Sequence, residues 1–342
     1  MDKNIIPEIS VLMPVYNCQP YIEESVNSIL NQTFTDFEFI IIDDCSTDGT
    51  FEYLQSLTDP RIKLIRKTEN TGYTISLNMG LDIAQGKYIA RMDGDDISVH
   101  TRFEKQVAFM NANPEVVVCG GAYEIIGSNH KIIHKSSNED IVLELISFCH
   151  FGHPTVFMRN ITLKSNNIKY DIDYEPAEDY KMWTILWEYG KLANLTDVLL
   201  YYRVHPNQTT SQRGQIQSEI AKNISIEYVL KLSSGNANAE IFSTSRIRTI
   251  EDFKKYESVE LDIKNNLTTR GIWANDKFFL ERKKKYLKQS FSEGQHSIPL
   301  AIIELKLLFK FRYLLGSNFI LKYFIKSIIY WKTAKNLNHQ VN

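Results

Sequence analysis

The sequence of 342 residues is poor in cysteine, with four in all and no Cys-x-x-Cys pair. A disulfide framework and a structural zinc site are therefore not expected, and a reducing cytoplasm is the predicted compartment. The chain also lacks the uncharged apolar run of about 18 residues that a membrane-spanning helix needs. Its first apolar stretch, Ile9–Val15, is too short for a signal peptide and has no cleavage region after it.

Phosphate-binding glycine loops are missing as well. The sequence contains neither the Gly-x-x-x-x-Gly-Lys-Ser/Thr loop of P-loop proteins nor a Gly-x-Gly-x-x-Gly motif after its first predicted strand. P-loop NTPases and Rossmann dehydrogenases are therefore disfavoured. If the chain binds a nucleotide, we expect a metal ion and side chains to hold it.

A charge excess of one sign is absent overall, since 39 Lys and Arg residues stand against 41 Asp and Glu, a net charge of −2. That balance disfavours a protein that coats nucleic acid. The charges are unevenly distributed, because residues 277–335 hold thirteen basic and three acidic residues, which leaves a net −12 for the rest. We therefore expect an acidic body with a basic tail and no nucleic-acid partner.

The tail combines its basic residues with apolar ones. The segment Ile298–Trp331 is rich in Ile, Leu, Phe and Tyr, and Lys and Arg recur through it. This pattern predicts amphipathic helices on an anionic membrane surface, with apolar side chains buried and Lys reaching back to the headgroups. The alternative is that these helices pack on the chain's own domain or on a second copy, as a homodimer.

Apolar runs and helical periodicity alternate over the first 130 residues. The runs predict buried strands and the periodic segments predict helices between them. The predicted strands are Ile9–Val15, Phe37–Ile42, Ile62–Ile65, Tyr88–Met92 and Val116–Cys119. This order is typical of an α/β fold with an open, mostly parallel central sheet and helices on both faces.

The alternation stops in the next part of the chain. Residues 115–205 hold short strands and helices that we expect to complete the same domain. The polar stretch Pro206–Gly214 is typical of a linker, and nearly every segment beyond it shows helical periodicity. We therefore predict one domain at residues 1–210 and a helical, basic and amphipathic C-terminal region at residues 211–342.

Carboxylates follow two of the predicted strands. Asp43 and Asp44 come after the second, and Asp93, Asp95 and Asp96 come after the fourth. In parallel sheets ligands bind beyond the carboxyl ends of the strands, although Asp is also a common turn residue. Three carboxylates within four residues repel one another unless a cation or ligand offsets their charge. This cluster favours a hard divalent ion with oxygen ligands, such as Mg²⁺ or Mn²⁺.

Seven short motifs occur in an order typical of one known family. They are Ser10–Asn17, Ser28–Thr33, Ile42–Thr50, Ala84–Asp96, Gly152–Thr155, Ala177–Asp179 and Tyr202–His205. With these motifs, residues 8–210 resemble the inverting glycosyltransferases of family two. The resemblance implies the GT-A fold of nucleotide-diphospho-sugar transferases.

The resemblance also implies a nucleotide-sugar site. In the family the loop after the first strand flanks the nucleobase, a position held here by Pro14 and Tyr16. By the same resemblance Asp44 would hydrogen-bond the base, Asp93 would approach the ribose, and Asp95 would ligate the metal that bridges the diphosphate. The implied cofactor is Mn²⁺ or Mg²⁺.

Two further residues match functional positions of the family. Asp179 matches the catalytic base, and His205 lies where many members have a further metal ligand. An acceptor hydroxyl must lose its proton as it attacks the sugar, and a carboxylate within hydrogen-bond reach can take that proton. Asp179 also begins the helical pattern Tyr180–Tyr189, where an Asp is favoured as a cap. Helix capping is therefore the alternative role of Asp179.

The resemblance implies a metal-dependent, inverting glycosyltransferase. It would move a sugar from a nucleotide-sugar, expected to be a UDP-sugar, to a hydroxyl of a glycan or lipid-linked glycan in bacterial surface polysaccharide biosynthesis. The signature of processive members (Gln or Arg, two residues, then Arg-Trp) is absent, so one sugar per encounter is expected. Two alternatives stay open: a catalytically silent sugar-nucleotide-binding module that recruits a glycan-assembly complex, and a nucleotidyltransferase.

Overall fold

The computed structural model describes residues 6–128, 130–244 and 250–292. The chain divides into two compact units, Met1–Tyr228 and Val229–Asn342. All seven motifs lie in the first unit. Within the polar stretch Pro206–Gly214, predicted to be a linker, a helix begins at Thr209, kinks at Arg213 and ends at Leu232.

In the first unit a single sheet contains nine strands. They are β1 (Ile9–Val15), β2 (Phe37–Asp43), β3 (Ile62–Arg66), β4 (Tyr88–Arg91), β5 (Ile97–Ser98), β6 (Val116–Ile125), β7 (Lys131–Ile132), β8 (Phe157–Arg159) and β9 (Lys191–Tyr202). Their spatial order is β3-β2-β1-β4-β8-β6-β9-β5, and β7 pairs with β6.

Strand direction divides this sheet in two. The strands β1 to β4 pair with one another only in parallel, as the predicted alternation of strands and helices requires. The pairings that follow are antiparallel, except that β6 and β9 run parallel. The prediction of a mostly parallel sheet is therefore right for the first four strands, and the sheet as a whole is mixed.

Helices connect the strands. They are α1 (Ile22–Leu30), α2 (Thr50–Gln55), α3 (Tyr73–Ile83), α4 (Arg102–Ala112), α5 (Asn138–Glu144), α6 (Asn160–Ser165), α7 (Glu178–Leu186) and α8 (Thr209–Leu232). Apolar residues at helical spacing explain how they pack. For example, α1 buries Ile22, Val26 and Ile29, and α7 buries Met182 and Trp183.

The core of the first unit surrounds β1 and β2, which are buried along their whole length. Strands covered on both faces need no polar alternation, which is why these two segments are almost entirely apolar. They pack with Phe103 of α4 and Phe157 of β8 in one hydrophobic cluster. Since β1, β2 and β4 are parallel, the residues that follow them meet at one edge of the sheet.

The second unit is helical in the residues described, which confirms the prediction of a helical C-terminal region. It holds the end of α8, then α9 (Ala239–Thr244), α10 (Ile250–Thr269) and α11 (Asp276–Ser292). On α11, Lys283 is buried and its Nζ lies 2.8 Å from Glu260 Oε2. Part of the basic tail therefore serves packing within this unit.

None of the helices in the described ranges is long and apolar enough to cross a bilayer. The predicted amphipathic segment Ile298–Trp331 lies outside the described residues.

Candidate active site

A cleft of about 530 Å³ lies at the edge where β1, β2 and β4 end. That volume is typical of sites for small molecules. The residues that the sequence analysis selected as site residues all line it: Pro14, Tyr16, Asp44, Asp93, Asp95, Asp179 and His205. The structure therefore brings the complete predicted set together, while the role of each residue stays a prediction.

The wall of the cleft also includes residues of α8. Arg213 pairs with Glu175 through an Nη1–Oε1 distance of 2.7 Å, and Gln217 Nε2 donates to the carbonyl of Pro176 at 2.7 Å. These contacts join the start of α8 to the segment that precedes α7. The site thus extends beyond residue 210, where the predicted first domain ends.

Asp44 and Tyr16 differ sharply in exposure. Asp44 is 2 % exposed, and its Oδ1 accepts a hydrogen bond from the backbone N–H of Thr71 at 3.0 Å and lies 2.5 Å from Lys67 Nζ. Lys67, which the sequence analysis did not select, compensates the buried charge of Asp44. Tyr16 is 46 % exposed at the rim. This side of the cleft therefore offers a fixed carboxylate and an accessible ring.

Three carboxylates meet after β4. Ligand oxygens of Asp93, Asp95 and Asp96 lie within 4.8 Å of one another. Asp96 is fully buried, and among the described residues its Oδ2 has no hydrogen-bond partner. Burial, and then repulsion from its two neighbours, raises the pKa of Asp96 well above its usual value. Oxygen ligands at this spacing fit Mg²⁺ or Mn²⁺, and a cation would offset the repulsion.

The chain after β9 holds this carboxylate cluster in place. Arg203 donates from Nε to the carbonyl of Asp95 and from its backbone N–H to Asp96 Oδ1, both at 2.8 Å. His205 Nε2 lies 2.9 Å from Asp95 Oδ2, and the His205 ring packs 4.9 Å from the ring of Tyr21. The predicted metal ligand His205 therefore contacts the cluster through Asp95.

Arg91 is a buried cation that the sequence analysis did not assign. It lines the cleft, is 5 % exposed and pairs with Asp93. The buried Arg102 holds the backbone of Arg91 in place, because its Nη2 donates to the Arg91 carbonyl at 2.9 Å. Buried charges persist where they are paired, so Arg91 and the carboxylate cluster stabilise each other. In the sequence, the one indication that Arg91 belongs to the site was its position two residues before Asp93.

Asp179 lies in the first turn of α7, with its side chain partly buried. Its Oδ1 accepts a hydrogen bond from the backbone N–H of Tyr180 at 2.7 Å, and the Cys149 thiol donates to its Oδ2 at 3.6 Å. The N-cap of α7 is Ala177, without a side-chain cap, and Asp179 satisfies one backbone N–H of the first turn, so its helix-start role and its predicted catalytic role are compatible. Burial raises the pKa of Asp179, which makes its carboxylate a stronger base.

Glu178, next to Asp179, is only 1 % exposed. The Tyr73 hydroxyl donates to its Oε2 at 2.6 Å, and His153 Nδ1 lies 4.0 Å from its Oε1. Burial, and then the charge of Asp179, raises the pKa of Glu178 to about 8. Burial lowers the pKa of His153, which is therefore uncharged at neutral pH. Glu178 lies in the motif Ala177–Asp179, but nothing in that motif indicates that Tyr73 and His153 contact it.

Comparisons with known sequences identify similar proteins. A family model described as Glycosyl transferase family 2 matches residues 10–172. An uncharacterized glycosyltransferase of Haemophilus influenzae is 38 % identical over 237 residues, which cover 65 % of this chain and 73 % of that protein. In Escherichia coli, UDP-Glc:alpha-D-GlcNAc-diphosphoundecaprenol beta-1,3-glucosyltransferase WfaP is 31 % identical over 225 residues, which cover 64 % of this chain and 87 % of WfaP.

Solved structures show the same fold. Residues 1–349 of TarS from S. aureus, in complex with UDP-GlcNAc, match with a TM-score of 0.59 and 20 % identity over 84 % of this chain and 93 % of that one. The mannosyltransferase PcManGT from Pyrobaculum calidifontis, in complex with GDP-Man and Mn²⁺, matches with a TM-score of 0.51 and 17 % identity over 95 % and 87 %. The predicted GT-A fold is confirmed.

Proposed function

The chain belongs to glycosyl transferase family 2, and from this premise we propose that it is a metal-dependent, inverting, non-processive enzyme that transfers a sugar from a nucleotide-sugar to an acceptor hydroxyl. One observation carries the proposal. A carboxylate cluster suited to a divalent cation and a separate carboxylate, Asp179, face the same cleft. The cluster would hold the cation at the donor's diphosphate, and Asp179 would take the proton of the acceptor hydroxyl. We assign this chemistry to residues 1–210, with α8 completing the wall.

In the proposed reaction the acceptor hydroxyl attacks the anomeric carbon while the bond from that carbon to the diphosphate oxygen breaks. Asp179 takes the hydroxyl proton, and the nucleoside diphosphate leaves with the electron pair. Direct displacement inverts the anomeric centre, so an α-linked donor gives a β-linked product. A covalent route would need a second carboxylate at the sugar, whereas Glu178 is buried and bonded to Tyr73.

The carboxylates after β4 would hold the metal. Asp95 and His205 are the proposed ligands, with Asp93 and Asp96 beside them. A divalent cation bound there supplies positive charge against the growing negative charge of the leaving diphosphate. Arg91, paired with Asp93, adds a fixed positive charge to this part of the site.

The proposed donor is a UDP-sugar. Asp44 would accept a hydrogen bond from the base, which Pro14 and Tyr16 would flank, and Asp93 would approach the ribose. The relative WfaP is named for UDP-Glc, and TarS has been solved with UDP-GlcNAc. These names support uridine as the nucleoside and leave the sugar to be identified by assay.

The proposed acceptor is a lipid-linked glycan in the assembly of a bacterial surface polysaccharide. WfaP is named for an acceptor on diphosphoundecaprenol, and WbnJ of Escherichia coli, 32 % identical over 248 residues, is named for O-antigen biosynthesis. Such an acceptor lies in a membrane, so we place the reaction at its cytoplasmic face. The basic segment Ile298–Trp331 would then bind the anionic surface, or a second copy of the chain.

The test is turnover by the purified chain. UDP release from UDP-glucose, UDP-galactose and UDP-N-acetylglucosamine is measured with Mn²⁺, with and without α-GlcNAc-diphosphate carried on a phenoxyundecyl chain. We expect the acceptor to accelerate UDP release from one of these donors. Binding of donor without turnover would favour the silent module, and release of pyrophosphate from a nucleoside triphosphate would favour a nucleotidyltransferase. Either result would overturn the proposal.

A further inference from the structure

Five aromatic rings form a continuous row that begins in the wall of the cleft. Tyr202 and Tyr123 line the cleft, with ring centroids 5.4 Å apart. The row continues from Tyr123 to His134 at 5.9 Å, from His134 to His150 at 6.2 Å, and from His150 to Phe148 at 4.1 Å. These five residues are called the aromatic row. It connects the cleft with the exposed loop that follows α5.

The outer end of the aromatic row lies on the side of the cleft that holds the proposed base. Phe148 directly precedes Cys149, whose thiol donates to Asp179. In the same loop Gly152 lines the cleft, and a Cβ at this position would come within 2.9 Å of the Tyr123 ring. A glycine is therefore needed for the ring to lie against the loop backbone. The row thus leaves the cleft on the acceptor's side.

The outer end of the aromatic row is open. Phe148 is 53 % exposed, although the His150 ring on which it packs is only 6 % exposed. A large aromatic side chain that is supported from one side and left half accessible gains free energy when a ligand covers it. His134 and Tyr123 are partly exposed between this end and the cleft.

The chemistry of the row favours an uncharged ligand. Burial, and then the neighbouring His150, lowers the pKa of His134 to about 4, so its ring carries no charge at neutral pH. Sugar rings present C–H faces that pack on aromatic rings, whereas a phosphate would require a cation. The face of the aromatic row therefore suits a carbohydrate better than an anionic headgroup, which the carboxylate of Glu144, 3.6 Å from His150 Nε2, would repel.

We propose that the aromatic row binds a sugar ring of the acceptor, with Phe148 as the outer platform. This inference rests on the proposed glycosyl transfer and identifies how its acceptor is held. Phe148 determines acceptor affinity, and it leaves the donor, the metal and the base untouched because it does not line the cleft.

The experiment compares Phe148→Ala, Phe148→Tyr and Tyr189→Ala with the wild-type chain. Tyr189 is the matched control, since it is 45 % exposed and does not line the cleft. Transfer is measured against α-GlcNAc-diphosphate carried on a phenoxyundecyl chain and against the same sugar diphosphate carrying a methyl group. Hydrolysis of the donor without acceptor reports on the rest of the site.

We expect Phe148→Ala to raise the KM of both acceptor probes by about fivefold to tenfold, with kcat and donor hydrolysis unchanged. Phe148→Tyr should restore the KM, and Tyr189→Ala should match the wild type. An unchanged KM in Phe148→Ala would overturn the proposal, as would an equal loss of donor hydrolysis, which indicates a structural role. An effect limited to the long-chain probe would assign the row to lipid instead. A wild-type chain without any turnover would refute the proposed function itself.

Discussion

Two groups of carboxyls contribute residues to the same cleft, and the groups around them differ. Asp93, Asp95 and Asp96 come from one stretch of chain and lie within 4.8 Å of one another. Glu178 and Asp179 are adjacent at the start of α7. Arg91 and Arg203 contact the first group, whereas hydroxyl, thiol and uncharged imidazole groups lie beside the second. In the first group, counter-charge from Arg91 acts together with the raised pKa of Asp96, whereas in the second group the raised pKa of Glu178 is the main feature.

The partners make the difference explicit. In the carboxylate cluster Arg91 pairs with Asp93, and Arg203 donates to the Asp95–Asp96 backbone and side chain. Beside the base, Tyr73 donates to Glu178, whose pKa is raised to about 8 by burial and then by Asp179. A site prepared for a cation and a polyanionic leaving group needs permanent charges. A site prepared to accept one proton needs a single ionised carboxylate.

The largest effect is expected from removing that ionised carboxylate. Asp179→Asn keeps the shape of the side chain but cannot take a proton, so kcat should fall about a thousandfold. Binding of UDP, measured by calorimetry, should stay at the wild-type value because the nucleotide side is untouched. The matched control is Asp173→Asn, an exposed carboxylate outside the cleft, which should retain full activity. Wild-type turnover by Asp179→Asn would remove the distinction between the two groups.

A smaller loss of activity is expected from a change in the carboxylate cluster. Asp95→Asn should weaken Mn²⁺ binding and lower kcat about a hundredfold, since less charge is offset on the leaving diphosphate. Electron paramagnetic resonance of bound Mn²⁺ measures the first effect without any turnover. Asp197→Asn, at an exposed ion pair with Lys105, is the control and should bind Mn²⁺ as the wild type does. Full activity after complete chelation of divalent ions would contradict the metal's role.

The third prediction concerns the retained proton. The pKa of Glu178 is about 8 in the folded chain, above the ordinary value of 4.5 for a glutamate side chain. Between these values the folded state holds a proton that the unfolded state has released. The free energy of unfolding should therefore fall as the pH rises through this window, by at most about 1.4 kcal/mol per pH unit. Glu178→Gln has no such proton, so its stability should depend less on pH.

Urea unfolding at about pH 5.5 and 7.5 tests this prediction. The control is Glu69→Gln, an exposed carboxylate, which should show the wild-type difference between the two pH values. A pH dependence in Glu178→Gln as steep as that of the wild type would show that Glu178 holds no extra proton. The pair Glu178 and Asp179 would then not be distinguished from the carboxylate cluster by a proton retained on Glu178.

The sequence predicted the strand ends better than the surroundings of the base. Long apolar runs located β1, β2 and β4 closely, because burial alone dictates those patterns. By contrast, the predicted strand Val116–Cys119 stops where Gly120 and Gly121 interrupt the apolar pattern, whereas β6 continues to Ile125. In the structure a side chain at Gly120 would collide with Asn194, and one at Gly121 with Leu199, so the glycines are required by the pairing with β9.

The same limit applies to the site. Motif order was sufficient to select Asp44, Asp95 and Asp179, because each lies in a motif with a recognisable pattern. The partners that tune these acids lie far away in sequence: Tyr73 is 105 residues from Glu178. A local pattern cannot report such a contact, and burial, which sets the pKa of Glu178, is a property of the folded chain.

The smallest expected effect comes from Tyr73 itself. Tyr73→Phe removes the hydroxyl that donates to Glu178 Oε2 and keeps the ring, so it should lower the free energy of unfolding by about 1 kcal/mol. The loss should be smaller in the Glu178→Gln background, since a double-mutant cycle isolates the contact between the two side chains. If both backgrounds lose the same amount, the hydroxyl acts elsewhere. The coupling should grow above about pH 8, where Glu178 ionises, because a hydroxyl donates more strongly to a carboxylate than to a neutral acid.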